Sequence, residues 1–162
     1  MEIAIFGFFL TILGISWFAG SDAPYVPTTN NKLMEALKAA GVKKGKNFFE
    51  LGSGDGRVVI ESAKMGSDSS GIEQSWMRVL YSKYTAYKLK LKNCHFYHGN
   101  MFNRRYKGTD IAYIFMLPKA VARLEQKLPA EMPKGSIIIT QRYHFKKIKP
   151  FKKIDEFWIY KI

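Results

Sequence analysis

The chain has 162 residues, 47 % apolar and 24 % charged, which is one domain's length with enough apolar side chain for a core; a disordered or low-complexity protein is excluded. Its single cysteine excludes a disulfide framework and any multi-cysteine metal site. The formal net charge is +13, and that charge is unevenly placed.

Residues 1–20 (MEIAIFGFFLTILGISWFAG) carry one charge, Glu2. As a helix, residues 3–20 would span about 27 Å, close to the roughly 30 Å of a hydrocarbon core. This predicts a transmembrane anchor, with Thr11 and Ser16 bonding back to the helix backbone and Trp17 at an interface. A signal peptide would need a positive n-region, and a surface-lying helix a polar face; neither is present. All 26 Lys and Arg follow residue 20. The positive-inside tendency then predicts a single pass with the body on the cytoplasmic (or matrix-like) side of a cell or organelle membrane. So basic a body would also press against anionic headgroups.

Residues 21–30 (SDAPYVPTTN) hold Pro24 and Pro27 and read as a linker that ends in helix-capping side chains. Asn31–Ala40 is a predicted helix with Leu33, Leu37 and Ala40 on one face and Gly41 as its stop. Asn47–Leu51 is a predicted central strand, followed by Gly52, Gly54 and Gly56. A helix is predicted over Arg57–Met65, a weak strand over Ser69–Glu73, and a longer helix from Trp76 to about Leu91 capped by Ser75. On that helix Met77, Leu80, Tyr84 and Tyr87 fall on or near one face. Strands are predicted at Cys94–Tyr97, Asp110–Phe115 and Ser136–Thr140, with a helix over Lys119–Leu128 ended by Pro129 and Pro133. The tail 146–162 opens on KKIKPFKK and leaves room for an abbreviated final pair, Ile154–Glu156 and Trp158–Ile162. Strand–helix alternation with continuous apolar strands predicts an α/β fold with a doubly wound, Rossmann-like parallel sheet.

The strongest local feature is Glu50-Leu-Gly52-Ser53-Gly54-Asp-Gly56-Arg57, set between a predicted strand and a predicted helix. Glycines here permit a tight turn and close backbone approach to a ligand, and the helix N-terminus offers free amides. Glu73, an acid closing the next strand, suits the two hydroxyls of a ribose. Arg57 stands where the dinucleotide fingerprint has its third glycine, which favours a nucleoside without a pyrophosphate. Cys94 and His95 alternate on one strand with no third ligand at a sensible spacing, so no metal is expected.

These residues resemble the class I S-adenosylmethionine-dependent methyltransferases: Glu50–Arg57 matches their first motif and Gly71-Ile72-Glu73 their second. Pro24-Tyr25-Val26-Pro27-Thr28 is more specific. It resembles the small protein-lysine methyltransferases, archaeal and membrane-associated mitochondrial. The resemblance implies a class I methyltransferase sheet with S-adenosyl-L-methionine as cofactor. It covers about residues 24–145, and together with the composition it divides the chain into an anchor (1–20), a linker and cofactor-closing segment (21–30) and a methyltransferase domain (31–162). It assigns Glu50, Gly52, Ser53, Gly54 and Gly56 to the methionine end of the cofactor, with Tyr25 and Thr28 closing over it. Glu73 would hold the ribose with Gln74 beside it, and Asn100 and Met101 would face the adenine. Phe115, Met116 and Leu117 fall where the family places its substrate-facing motif. They form an apolar corner suited to a lysine stem, with Tyr113, Tyr143 and His144 as candidates to orient the amine or relay its proton. The implied reaction is methylation of a lysine amine in a protein, membrane-associated through the anchor, with no nucleic-acid partner. The alternative is the same cofactor used on RNA, a lipid or a small molecule.

Overall fold

A computed structural model of the protein describes residues 30–162, together with Gly7 and Thr11. The predicted anchor (1–20) and the linker positions 21–29 otherwise lie outside the described residues. Gly7 and Thr11 are helical, and Thr11 Oγ1 donates to the Gly7 carbonyl at 2.7 Å. Among the described residues no helix is long and apolar enough to cross a membrane.

The elements are α1 (Asn30–Ala39), β1 (Asn47–Leu51), α2 (Arg57–Lys64), β2 (Asp68–Glu73), α3 (Trp76–Lys88), β3 (Cys94–His98), a short 3₁₀ turn (Met101–Asn103), β4 (Ile111–Ile114), α4 (Pro118–Glu131), β5 (Ile137–Gln141), β6 (Lys152–Ile154) and β7 (Phe157–Lys161). They build one seven-stranded sheet in the order β3-β2-β1-β4-β5-β7-β6. Strands β1 to β5 are parallel, and β7 runs antiparallel to β5 and β6.

Alternation along β1 sorts the core. Phe48 joins Leu33, Leu37, Val58, Tyr113 and Ile139 on the face covered by α1 and α2. Phe49 and Leu51 join Ile72, Ala112, Ile114 and Ile138 on the other face, under Val121, Leu124 and Leu128 of α4. Strand β2 (DSSGIE) is poor in apolar residues, yet it is central. Its buried Ser69 hydroxyl is satisfied within a cluster, 2.8 Å from Ser67 Oγ and 3.0 Å from Ser62 Oγ.

Three expectations are corrected. The predicted apolar face of α3 is a real stripe, but it points outward: Leu80, Tyr84 and Tyr87 are exposed, while Arg78, Val79, Ser82 and Ala86 are buried. The small Ser82 lets α3 lie close to Gly56, and Ala86 packs in the same buried cluster as Phe96. The same helix ends at Lys88, because Lys90 enters the left-handed region at φ 55°. Helix α4 runs through Pro129 to Glu131: the proline sits in the last turn, where it removes one bond, and Met132 N still donates to Leu128 O at 2.9 Å.

At the tail both final strands form. β6 has 3 residues and starts two positions early, at Lys152, because the hairpin turns at Asp155 (φ 53°) and Glu156. The basic run before it is held down by one acid. Buried Glu125 of α4 accepts from the amides of Lys147 and Ile148 through Oε1, the latter at 3.1 Å.

Candidate active site

Strand order reverses at β1, between β2 and β4, and in such sheets ligands enter at the carboxyl ends of the strands flanking that point. The glycine loop leaves β1 there. Gly52 N and Ser53 N both donate to the Ile72 carbonyl at 2.9 Å, which ties the loop to β2. Ser53 is buried and turned toward Gly71, where any Cβ would lie 2.6 Å from the serine's own.

The loop glycines have different work. Gly56 has φ 78°, and a Cβ there would meet Phe96 Cε1 at 2.6 Å and Ser82 Oγ at 2.7 Å, so it is closed by packing. Gly54 has φ 53° and opens on space, with nothing within 4 Å of a built Cβ. Gly56→Ala is therefore expected to lose about 3 kcal/mol of stability from overpacking and left-handed strain. Gly54→Ala should lose about 1 kcal/mol, from the backbone term alone, while obstructing a ligand over the loop. Denaturant unfolding of the two variants checks the order.

Glu73 closes β2 and is buried. Its Oε2 accepts from Gly54 N and its Oε1 from Ser75 N, each at 3.0 Å. Arg78 of α3 brings Nη1 to 3.9 Å from Oε1. One carboxylate thus fastens the glycine loop, the start of α3 and a buried guanidinium, while each oxygen keeps a further lone pair. Gln74 follows, and its carbonyl lies 2.8 Å from His98 Nε2.

Glu50, last but one in β1, is buried, and its Oε2 has no hydrogen-bond partner. Burial first, then the Asp55 carboxylate, pushes its carboxyl well above the usual range. Tyr113 stands opposite it in the β1–β4 ladder. A buried acceptor without a donor is costly to the fold and suits a cationic, donor-bearing ligand. Together with open space at Gly54, it makes the residues present fit an aminoacyl sulfonium nucleoside.

The apolar corner splits across the sheet. Phe115 packs with the core beneath α1, and Met116 crosses to the other side. Its Cε would lie 1.8 Å from a Cβ at Gly52, so the thioether covers the loop itself. Leu117 opens α4 with 39 % of its surface exposed.

The remaining candidates are not brought together. Tyr113 is fully buried, and its hydroxyl donates to Gln141 Oε1 at the end of β5. Gln141 Nε2 in turn donates to Glu156 Oε1 at 2.5 Å. His144 lies on the opposite face, stacked on Trp158 with ring centroids 4.6 Å apart, and Tyr143 packs against the α4-side core. Asn100 Oδ1 accepts from Phe102 N at 2.8 Å, capping the 3₁₀ turn, and Met101 is buried. Tyr25 and Thr28 lie outside the described residues. Among the described residues no group of three or more His, Cys, Asp and Glu could hold a metal. Burial and the Asp68 carboxylate push the Cys94 thiol up to about 11.

Three residues of this region escaped sequence reasoning. Arg78 left a trace, as a cation at helical spacing from Ser82. Gln141 ends an apolar strand, and Glu156 is an acid in a basic tail.

The protein-family model described as the ANTKMT methyltransferase domain matches residues 50–152. The mouse (Mus musculus) ATP synthase c-subunit lysine N-methyltransferase is 30 % identical over 142 residues, covering 85 % of this chain and 57 % of that one. Its Caenorhabditis elegans counterpart is 31 % identical over 152 residues, covering 85 % and 80 %. The chain thus spans about three-fifths of the mouse relative's length and most of the nematode one. Among solved structures, a Salinibacter ruber RNA methyltransferase in complex with S-adenosyl-L-homocysteine has TM-score 0.77 at 22 % identity, covering 83 % of this chain and 91 % of that one, a likeness of fold. With a family match that begins at Glu50, at the head of the glycine loop, and runs to the first residue of β6, this chain belongs to the ANTKMT methyltransferase domain family.

Proposed function

We propose that this chain transfers a methyl group from S-adenosylmethionine to the side-chain amine of a lysine in a membrane-associated protein. The observation that carries the reading is the buried Glu73 carboxylate fastening the Gly54 amide at the carboxyl ends of the strands. The choice of lysine is supported by the names of the relatives that this chain resembles along 85 % of its length.

When bound, the cofactor supplies a methyl group made electrophilic by its sulfonium. The chain's residues do the rest. Gly54 gives backbone access, Glu73 offers lone pairs to hydroxyl donors, and Glu50 offers a carboxylate to the cationic end. Met116 and Leu117, with Phe115 behind them, line the path of the lysine stem. Their apolar surface lowers the pKa of an amine held against it, so the amine can shed its proton and point at the methyl carbon. The chemistry then needs placement more than a strong base. The Tyr113–Gln141–Glu156 chain stiffens the ends of β4, β5 and the last hairpin behind that corner. Residues 1–20 anchor the chain in a single pass and 21–30 close over the cofactor. The basic body faces the cytoplasmic or matrix-like side, where tethering raises the local concentration of membrane-borne substrates.

Incubating membranes with the purified full chain and methyl-labelled cofactor tests this. The expected result is label in a protein band, released on hydrolysis as methyl-lysine. Label confined to lipid or RNA would overturn the substrate class.

A further inference from the structure

We propose that the outward face of α3 is a lipid-contacting surface that seats on an anionic bilayer. The stripe is Trp76, Leu80, Tyr84 and Tyr87, at spacings of four, four and three, which is one line along a helix. These side chains are 51, 53, 59 and 81 % exposed, and Leu89 extends the line beyond the helix end at 47 %. Val79, Ser82 and Ala86 take the opposite, sheet-facing side. An apolar outward stripe on a helix that already has a buried inner face marks a contact surface.

Charge chooses the occupant. Residues 76–92 contain no acid, and Lys83, Lys88, Lys90 and Lys92 are all exposed. Lysine is depleted at protein–protein contacts, and a second copy would set these cations against their own kind. Beside Trp and Tyr, lysine is what a helix lying at a headgroup layer carries: the rings sit at the interface and the long stems lift the ammonium to phosphate. Lys88 Nζ already lies 5.6 Å over the Tyr84 ring, at the polar margin of the stripe. Because α3 starts at Trp76, three residues past Glu73, seating this face holds the glycine-loop end of the sheet beside the membrane plane. The proposal is separable from methyl transfer and from the anchor, since an anchored chain can still keep α3 in water.

The test is a nitroxide at position 84 of the full chain (Tyr84→Cys in a Cys94→Ala background). The protein is reconstituted into phosphatidylcholine vesicles with or without phosphatidylserine. A second label at exposed Ala122 (Ala122→Cys), on α4 across the sheet, is the reference. Expected in phosphatidylserine vesicles is a several-fold rise in oxygen accessibility at 84 and a matching fall toward a water-soluble nickel chelate, with no change at 122. Replacing Lys83, Lys88, Lys90 and Lys92 together by glutamine should return the label at 84 to water while helical circular dichroism stays unchanged. The proposal is overturned by a label at 84 that remains water-accessible in both vesicles. It is equally overturned by spin–spin coupling between copies, the mark of a self-contact, or by equal shielding in both vesicles, the mark of cover from the chain's own N-terminal segment.

Discussion

Glu73→Ala is expected to lose S-adenosylmethionine binding and about 3 kcal/mol of stability. The variant strips acceptors from two backbone amides at once and removes the carboxylate that stands beside the buried Arg78 guanidinium. Glu73→Gln is the sharper variant, because it keeps the volume. Glutamine has one acceptor oxygen where the carboxylate has two, and its amide nitrogen must face a second N–H donor. One of the two bonds to backbone amides is lost, so the variant should fold while its dissociation constant for the cofactor rises about tenfold, which corresponds to about 1.4 kcal/mol. Isothermal titration calorimetry and denaturant unfolding measure both quantities. Unchanged affinity in Glu73→Gln would remove Glu73 from the cofactor site.

Glu50→Gln should move stability and binding in opposite directions. The Glu50 carboxyl is held well above its usual value, chiefly by burial. The folded state therefore keeps this proton to higher pH than the unfolded chain does. A group of this kind contributes most below the ordinary glutamate value of about 4.3, and its contribution falls as pH climbs from there toward the raised folded value. Near neutral pH the folded protein thus bears a cost that glutamine removes. The variant should be more stable there, with a flatter profile above the ordinary carboxylate range. It should also bind the cofactor at least tenfold more weakly, because an amide cannot release a proton and face the cationic end as a carboxylate. Unfolding midpoints across pH, with and without ligand, read both effects. A pH profile identical to that of the unsubstituted chain would reject a buried, proton-holding Glu50.

Much of the fold was legible because its signals are local. The run NFFEL, short, apolar and bounded by turns, suits a central strand, and β1 occupies those residues. Leu33 and Leu37 mark the buried side of α1 by their spacing alone, with Ala40 just past its end, and all three are buried. The glycine loop was legible for the same reason, since strand, alternating glycines and helix are neighbours in the chain. The α3 face was not: Leu80, Tyr84 and Tyr87 have a spacing identical to that of a core stripe. Periodicity tells which residues share a side of a helix and says nothing about which side meets the sheet.

The amino-acid order by itself determined the alternation of strand and helix, the position of the glycine turn, the acid one strand later, and the confinement of every Lys and Arg to the chain beyond residue 20. Each follows from side chains near one another in sequence. Tertiary structure alone decided that Glu73 grips Gly54 and stands near Arg78, that Glu50 is buried beside Tyr113, and that Tyr113 and His144 lie on opposite faces of the sheet. Those relations join residues from separate strands. They depend on strand order and register, which the packing of the whole sheet selects and no local pattern encodes.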